Sequence, residues 1–251
     1  MITLNNITKS FDGTEVLKGI SMAFEPGKTN LIIGQSGSGK TVLLKCLLGL
    51  HQIDSGKMHF KDQAFGEMDE EGRRTLRREM GMVFQGSALF DSMTVLENVM
   101  FPMKMLTDKN QAEIKSVAEA VIDRVNLENA NNKLPAELSG GMQKRVAIAR
   151  AVVMKPKYLF CDEPNSGLDP KTAIVIDNLI REITQENNIT TVINSHDMNS
   201  VMEIGDTILF LKDGVKAWEG SKELIFNTDN KAVNDFVYSS NLMKKIKQVH
   251  T

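Results

Sequence analysis

The most informative stretch of the sequence is the glycine-rich segment 34–41, GQSGSGKT, which follows a short apolar run. Glycine adopts backbone torsions that side chains would obstruct, so such a loop can wrap its N–H groups around phosphate oxygens. A helix is predicted directly after the loop, and its N-terminus adds the positive end of a dipole. Lys40 can then reach the β- and γ-phosphates of a nucleotide, and Thr41 can offer its hydroxyl to Mg²⁺. The P-loop spacing favours a phosphate site over a plain glycine turn.

A second candidate site is a pair of adjacent carboxylates, Asp162 and Glu163, at the end of an apolar run predicted to be a strand. Successive strand residues point to opposite sides, so the two acids are expected to have different roles. Asp162 would hold Mg²⁺, and Glu163 would face the attacking water as a general base. An acidic pair alone is more typical of a solvated loop. Together with the P-loop, a catalytic role is the better interpretation.

A third segment, LSGGM at 138–142, precedes a predicted helix that carries Lys144 and Arg145. It offers a second helix N-terminus with glycine N–H groups suited to an anion. By itself such a segment is more often a simple helix cap. In the company of the first two motifs, it indicates a second phosphate-binding element.

With these motifs, residues 1 to about 220 resemble the ABC ATPases, whose further motifs occur here in the family's order. The resemblance implies that Phe11 stacks on adenine and that His196 contacts the γ-phosphate. It also implies that Gln85 contacts Mg²⁺ or the lytic water and links the site to a helical lobe. The resemblance and the P-loop together assign the nucleotide to Phe11, Gly34, Gln35, Ser36, Gly37, Ser38, Gly39, Lys40, Thr41, Val42, Ser139, Gly140, Gly141 and Asp169. They assign Mg²⁺ to Thr41, Gln85 and Asp162, and catalysis to Gln85, Glu163 and His196.

The resemblance also implies a division of labour between two copies of the chain. In this family the P-loop of one copy and the signature segment of another enclose one ATP. Ser139 and Gly141 are therefore expected at the partner's γ-phosphate. The sequence contains one P-loop, so the predicted partner is a second identical copy.

The sequence departs from the broad family pattern at two positions, and one of them, Met142, suggests a narrower group. Met142 stands where glutamine is usual, and Asn165 stands where threonine is commoner. Met142 together with the segment 84–102 resembles the ATPases of Mla-type phospholipid transporters, which implies a polytopic membrane permease and a lipid-binding protein of the mammalian-cell-entry type. The alternatives are the ATPase of an amino-acid importer, or of a force-transmitting cell-division or lipoprotein-release complex. A translation-regulating protein would need two cassettes, and a chromosome-organising ATPase would need a long coiled coil.

The elements that must position these residues alternate between strand and helix along most of the chain, which predicts a mainly parallel sheet covered on both faces. The expected fold is α/β: a P-loop NTPase core with an N-terminal antiparallel β subdomain, turned at Asp12–Gly13, and an inserted helical subdomain at 87–151. The ATPase domain is predicted at 1–220 and a helical tail at 221–251, with a basic end at 244–247. Further strands are predicted at 29–33, 81–84, 157–162, 190–194 and 207–211, and helices at 42–50, 67–79, 112–125, 142–153 and 173–186.

Composition limits the other possibilities. The 251 residues carry a net charge of -2, which gives no general attraction to nucleic acid. No apolar run approaches the roughly 20 residues of a membrane-spanning helix, and the N-terminus does not look like a secretory signal. The expected location is cytoplasmic, on the inner face of the inner membrane. Cys46 and Cys161 are expected to be buried free thiols.

Overall fold

The structure is a computed structural model that describes residues 1–239. Within it the chain forms two compact units. The first unit combines residues 1–25 and 29–67 with the chain from residue 194 onward. The second combines residues 26–28 and 68–193.

The secondary structure follows the predicted alternation. The strands are β1 (Ile2–Phe11), β2 (Thr14–Phe24), β3 (Thr29–Ile33), β4 (Ser55–Phe60), β5 (Gln63–Ala64), β6 (Met80–Val83), β7 (Tyr158–Asp162), β8 (Thr190–Ser195), β9 (Thr207–Lys212) and β10 (Val215–Gly220). The α-helices are α1 (Lys40–Leu47), α2 (Glu70–Arg78), α3 (Val95–Leu106), α4 (Gln111–Arg124), α5 (Gly140–Val152), α6 (Pro170–Glu186), α7 (Met198–Ile204) and α8 (Lys231–Val237). Short 3-10 helices occupy Phe65–Glu67 and Pro135–Glu137.

An antiparallel sheet in the order β2-β1-β4-β5 occupies the first unit. β1 and β2 are joined at Asp12 and Gly13, whose φ angles of 48° and 79° are both positive, as a tight hairpin turn requires. The turn closes on the pair of Phe11 and Thr14. The predicted N-terminal antiparallel sheet and its turn are therefore present, and β4 and β5, which were not predicted, extend the sheet.

The first unit also contains the run of strands β10-β9-β3. β3 pairs with β9 in parallel, and β9 pairs with β10 across the turn at Asp213 and Gly214. Every residue of β3 is buried, both the polar Thr29 and Asn30 and the three apolar residues that follow them. The chain leaves β3 at Ile33 and enters the glycine-rich loop.

In the second unit the strand order is β8-β7-β6, and β6 and β7 are parallel. Residues 87–151 contain three α-helices, α3 to α5, and no strand. A capping box starts α3: the side chain of Thr94 accepts from the N–H of Glu97, whose carboxylate accepts from the N–H of Thr94. The chain passes from the second unit into the first within β8.

The C-terminal segment from residue 221, as far as residue 239, is less helical than predicted. A helical tail was predicted beyond Ser221, but residues 222–226 form turns, and the one helix of the described tail, α8, starts at Lys231. Polar and small residues in the segment 227–230 interrupt the helical pattern, and Asn230 caps α8. The basic end at 244–247 lies outside the described residues, and the division into 1–220 and 221–251 stays a prediction. No helix within residues 1–239 is both long enough and apolar enough to cross a membrane.

Candidate active site

The glycine-rich loop has the backbone that the sequence predicted. Gly34, Gly37 and Gly39 have φ angles of 151°, 80° and 103°, all in the region that favours glycine. A Cβ atom on Gly34 would lie 2.2 Å from the carbonyl oxygen of Leu211. The loop can therefore pass this close to β9 because residue 34 has no side chain.

Lys40 lies inside this loop and is 7% exposed. Its Nζ donates to the carbonyl oxygens of Gly34 at 2.9 Å and Gln35 at 3.1 Å. The loop thus surrounds a buried cation with its own backbone. A phosphate at the loop would meet this ammonium at short range, where a charge-assisted bond is strongest.

Two further features of the loop suit an anion. α1 begins at Lys40, and its N-cap residue Gly39 supplies no side-chain acceptor for the first N–H groups. The hydroxyl oxygen of Ser38 is buried without a hydrogen-bond partner in the described part of the chain. Thr41 is exposed on the first turn of α1, beside the half-buried Val42. The segment therefore fits a nucleotide phosphate group.

Phe11 and His196 are the other predicted site residues of the first unit. Phe11 ends β1 with 37% of its surface exposed, and its ring meets the ring of His51 edge to face at 5.1 Å. His196 is exposed and follows β8 directly. Their assigned contacts with adenine and the γ-phosphate stay predictions.

The two predicted carboxylates of the second unit stand where β7 ends. Asp162 is the last residue of the strand, and Glu163 has a left-handed backbone with φ of 47°. The N–H of Ser166 then donates to the carbonyl of Glu163 at 3.1 Å and closes a turn. The strand alternation from which different roles were predicted for the two acids does not extend to Glu163. Its direction is set by this turn, because β7 ends at Asp162.

Gln85 and Glu163 are brought into direct contact. The Nε2 of Gln85 donates to the Oε2 of Glu163 at 3.0 Å, and the Oγ of Ser166 lies 3.4 Å from the same nitrogen. An amide that donates to a carboxylate holds it in one orientation. The sequence assigned both residues to catalysis but did not indicate this contact.

Lys144 is a residue of this region that sequence reasoning did not place in the site. It lies on α5, is 5% exposed, and its Nζ donates to the backbone carbonyl of Gln85. Burial lowers the pKa of its ammonium, while the nearby Cys161 and Glu163 oppose that shift. The sequence carries no signal that Lys144 is buried, because it stands between Gln143 and Arg145. Once buried, its ammonium needs an acceptor.

Ser139 forms the N-cap of α5, and its Oγ accepts from the N–H of Met142 at 3.3 Å. The plain helix cap that the sequence allowed is therefore present. Ser139 and Gly140 are exposed, while Gly141 is half-buried. A Cβ on Gly141 would lie 2.7 Å from a methyl group of Thr172, so close packing against α6 requires glycine here.

Asp169 caps α6 and is committed to that role in the structure. Its carboxylate accepts from the N–H of Thr172 at 3.0 Å and from the Oγ1 of Thr172 at 2.5 Å. The hydrogen bond from the Thr172 side chain is the main reason that the pKa of Asp169 lies below its usual value. Its assignment to the nucleotide stays a prediction.

Asn165, noted above as unusual in sequence, contacts a buried acid. Its Nδ2 donates to the two carboxylate oxygens of Asp177 on α6 at 3.3 and 3.1 Å. Asp177 is 2% exposed. The turn that carries Glu163 is thereby anchored to α6 two residues after Glu163.

The predicted Mg²⁺ ligands are oxygen donors, the kind of ligand that this ion takes. No cluster of three or more His, Cys, Asp or Glu suited to a metal occurs within residues 1–239. Mg²⁺ commonly binds through one or two protein ligands together with substrate phosphates. The hydroxyl of Thr41 and the carboxylate of Asp162 are each a ligand type that suits this mode, and their assignment to Mg²⁺ stays a prediction.

Comparison with known families decides the class of protein. The family model described as ABC transporter matches residues 17–166. This chain belongs to the ABC transporter family. The P-loop and the turn at Glu163 both lie within the matched region, which covers more than half of the chain.

Relatives of this ABC protein include ATP-binding subunits of importers. It is 38% identical to the methionine import ATP-binding protein MetN of Clostridium tetani over 91% of this chain and 72% of that protein. It is 37% identical to the L-cystine import ATP-binding protein TcyC of Bacillus subtilis over 90% of this chain and 93% of that protein. The predicted ATP-binding role is confirmed. The Mla-type assignment and the mammalian-cell-entry partner find no support among these relatives.

A solved structure agrees with the fold and the activity. The ATP-binding cassette MJ0796, in a dimeric post-hydrolysis state with ADP and Pi, matches with a TM-score of 0.79 and 31% identity. The match covers 88% of this chain and 99% of that one. The predicted ABC ATPase fold is confirmed, and the chain is an ATPase of this family.

Proposed function

We propose that two copies of this ATPase pair head to tail around two ATP molecules and power a polytopic membrane permease from its cytoplasmic face. One P-loop and one signature segment in the chain support the pairing, because each shared site needs one of each. The dimeric state of the related cassette MJ0796 supports it as well.

Within this proposal each copy binds ATP through its P-loop. The ammonium of Lys40 neutralises charge on the β- and γ-phosphates, and the first N–H groups of α1 donate to the same oxygens. Thr41, Asp162 and Gln85 would hold Mg²⁺, which would neutralise charge on the transferred phosphoryl group. Ser139 and Gly141 of the partner copy would close over the γ-phosphate.

Glu163 supplies the proton acceptor for hydrolysis. Its carboxylate takes a proton from the attacking water as the water approaches the γ-phosphate. Gln85 holds that carboxylate from one side through the 3.0 Å bond. His196 would order the same water and contact the γ-phosphate.

The observation that carries the membrane partner is an apolar groove in the second unit. Its lining includes the side chains of Phe84, Phe90, Phe101, Pro102 and Leu106. Phe84, Phe90 and Leu106 are 43%, 40% and 41% exposed. Large apolar residues gathered in a concave surface are typical of a site where a partner's amphipathic helix docks.

The charged residues around the groove indicate which kind of partner helix would bind there. Arg77 and Arg78, from the last turn of α2, and Arg150, from α5, also line it. Three cations beside an apolar surface favour a short partner helix that combines apolar anchors with an acidic residue or its own C-terminal end. A cytoplasmic loop helix of a permease has this chemistry.

The test of the permease partner uses two adjacent residues of α3. Leu106 lines the groove, whereas Met105 is 66% exposed and lies outside the lining. Leu106→Asp should abolish co-purification of a membrane protein from detergent extracts while ATP hydrolysis by the isolated subunit persists. Met105→Asp places the same charge one residue away and should leave the complex intact. Equal effects of the two variants, or none from Leu106→Asp, would remove the groove from the proposal.

The transported solute is proposed to be an amino acid or a similar small polar molecule. Support comes from the relatives, which are named for methionine and L-cystine import. Met142 and the segment 84–102 favour the second candidate, phospholipid, on sequence pattern alone. The subunits in the purified complex separate the two candidates: a solute-binding protein supports amino-acid import, whereas a mammalian-cell-entry protein with bound lipid would overturn it.

A further inference from the structure

Residues 85–88, called here the Gln85 loop, have an unusual backbone. Ser87 and Ala88 are consecutive non-glycine residues with φ angles of 62° and 48°. This left-handed region is unfavourable for L-residues other than glycine, and surroundings must hold residues there. The N–H of Ser87 donates to Phe84 at 2.9 Å, and the N–H of Ala88 donates to Gly86 at 2.7 Å, so the loop is tightly folded.

Two cationic side chains of α5 donate hydrogen bonds to backbone carbonyl oxygens of this loop. Arg150 donates through Nη1 to the carbonyl of Ala88 at 2.8 Å and through Nη2 to the carbonyl of Ser87 at 2.9 Å. Lys144 donates through Nζ to the carbonyl of Gln85. Three of the four carbonyls in the Gln85 loop therefore accept from one helix.

The guanidinium of Arg150 fixes the direction of its two hydrogen bonds to the loop. Its guanidinium carbon lies 5.7 Å from the centre of the Phe90 ring, and burial lowers the pKa of the group. A planar guanidinium presents its N–H groups as a fixed fork, so it can hold two neighbouring carbonyls in one relative orientation. Lysine at the same place could supply charge but not the fork.

The side chain of Gln85 begins in this loop and ends 3.0 Å from Glu163. We propose that Arg150 and Lys144 are positioning residues that hold the Gln85 loop in its strained conformation, and that this conformation sets the contact between Gln85 and Glu163 during hydrolysis. The inference rests on the catalytic roles proposed for those two residues. Because α5 starts at the signature segment, the same helix connects the partner's nucleotide to the Gln85 loop.

The first experiment compares two arginines of α5. Arg150→Met removes the fork that holds the Gln85 loop. Arg145→Met is the matched control, because Arg145 also donates to two successive carbonyls, those of Val125 at 2.9 Å and Asn126 at 3.3 Å, and Asn126 is also left-handed. Steady-state ATPase kinetics, ATP affinity and thermal unfolding should be measured for both.

Arg150→Met should lower kcat by about tenfold or more with little change in ATP affinity, since a displacement of ~1 Å at a catalytic group can cost about 100-fold in rate. Arg145→Met should keep the wild-type kcat even if its melting temperature falls. Equal kcat values for the two variants would overturn the inference. If Arg150→Met gives no folded protein, Arg150→Lys tests the same point, because it keeps the charge and removes the fork.

The second experiment asks whether strain is the reason. Glycine tolerates the left-handed region without cost, so Ala88→Gly should reduce the need for Arg150. Ala88→Gly added to Arg150→Met should restore most of the lost kcat, whereas Ala88→Gly added to Glu163→Gln should restore none. Absence of rescue, with both double variants folded and binding ATP, would overturn the strain argument.

Failure of this inference can be told apart from failure of the proposed function. If only the positioning role is wrong, Glu163→Gln will be inactive while Arg150→Met turns over normally. If the role of Glu163 itself is wrong, Glu163→Gln will hydrolyse ATP at a normal rate whatever Arg150→Met does.

Discussion

Replacement of Glu163 by glutamine separates catalysis from binding and folding. The variant keeps the size of the side chain but removes its ability to accept a proton. General-base catalysis contributes about 10²–10⁴-fold in rate, so we expect kcat to fall by that factor. The loss corresponds to about 3–5 kcal/mol of transition-state stabilisation.

The structure limits how much of that loss could come from the fold. The Glu163 side chain is half-buried, and a glutamine can keep its contact with the Nε2 of Gln85 at 3.0 Å because an amide oxygen also accepts. Exchanging a charge-assisted hydrogen bond for a neutral one removes about 1 kcal/mol, and less for a partly exposed group. In a domain of this size that amounts to a melting shift of about 2–4 °C or less. The catalytic effect should therefore greatly exceed the structural one.

Three measurements on the Glu163→Gln variant complete the test. Phosphate release should be nearly abolished, fluorescent ATP should bind with near wild-type affinity, and gel filtration in ATP and Mg²⁺ should show dimers accumulating. Turnover within a few-fold of wild type would refute the assignment of the base. Loss of ATP binding in a folded variant would refute the separation of roles.

Other predictions concern single residues. Lys40→Ala should weaken ATP binding itself, measured by titration with fluorescent nucleotide, because it removes the cation buried in the P-loop; unchanged affinity would count against the loop. Asn165→Leu should destabilise the fold by about 1–3 kcal/mol in urea unfolding, because it removes two hydrogen bonds from the buried Asp177 carboxylate; an unchanged midpoint would contradict this. Cys46 should resist thiol reagents at pH 8 until the protein is unfolded, since burial raises the pKa of its thiol to about 11. Rapid labelling of the native protein would disagree with its burial.

The sequence predicted best those features that depend on neighbouring residues. The P-loop could be recognised because its glycines and Lys40 lie within eight residues, between one apolar strand and one helix. The hairpin at Asp12–Gly13 was predicted for the same reason. β4 was missed because it starts with exposed polar residues and has few apolar ones, and β10 was missed although the Asp213–Gly214 pair signals a turn before it.

Contacts between distant residues could not be predicted in this way. Gln85 meets Glu163 across 78 positions of sequence, and Arg150 meets Ser87 across 63. Such pairs form only when separate elements pack against each other, so the periodicity of the sequence does not predict them. The direction of Glu163 depends on the left-handed turn after β7, which the alternation of a strand does not describe.

Dependence of ATP hydrolysis on protein concentration tests the central claim, that two copies share each site, most directly. Phosphate release per milligram of wild-type protein should rise with protein concentration, because activity requires the pair. Ser139→Arg should bind ATP as a folded monomer and stay inactive at every concentration, since a bulky cation would occupy the partner's γ-phosphate position. Specific activity that is constant with dilution, together with normal hydrolysis by Ser139→Arg, would contradict the account.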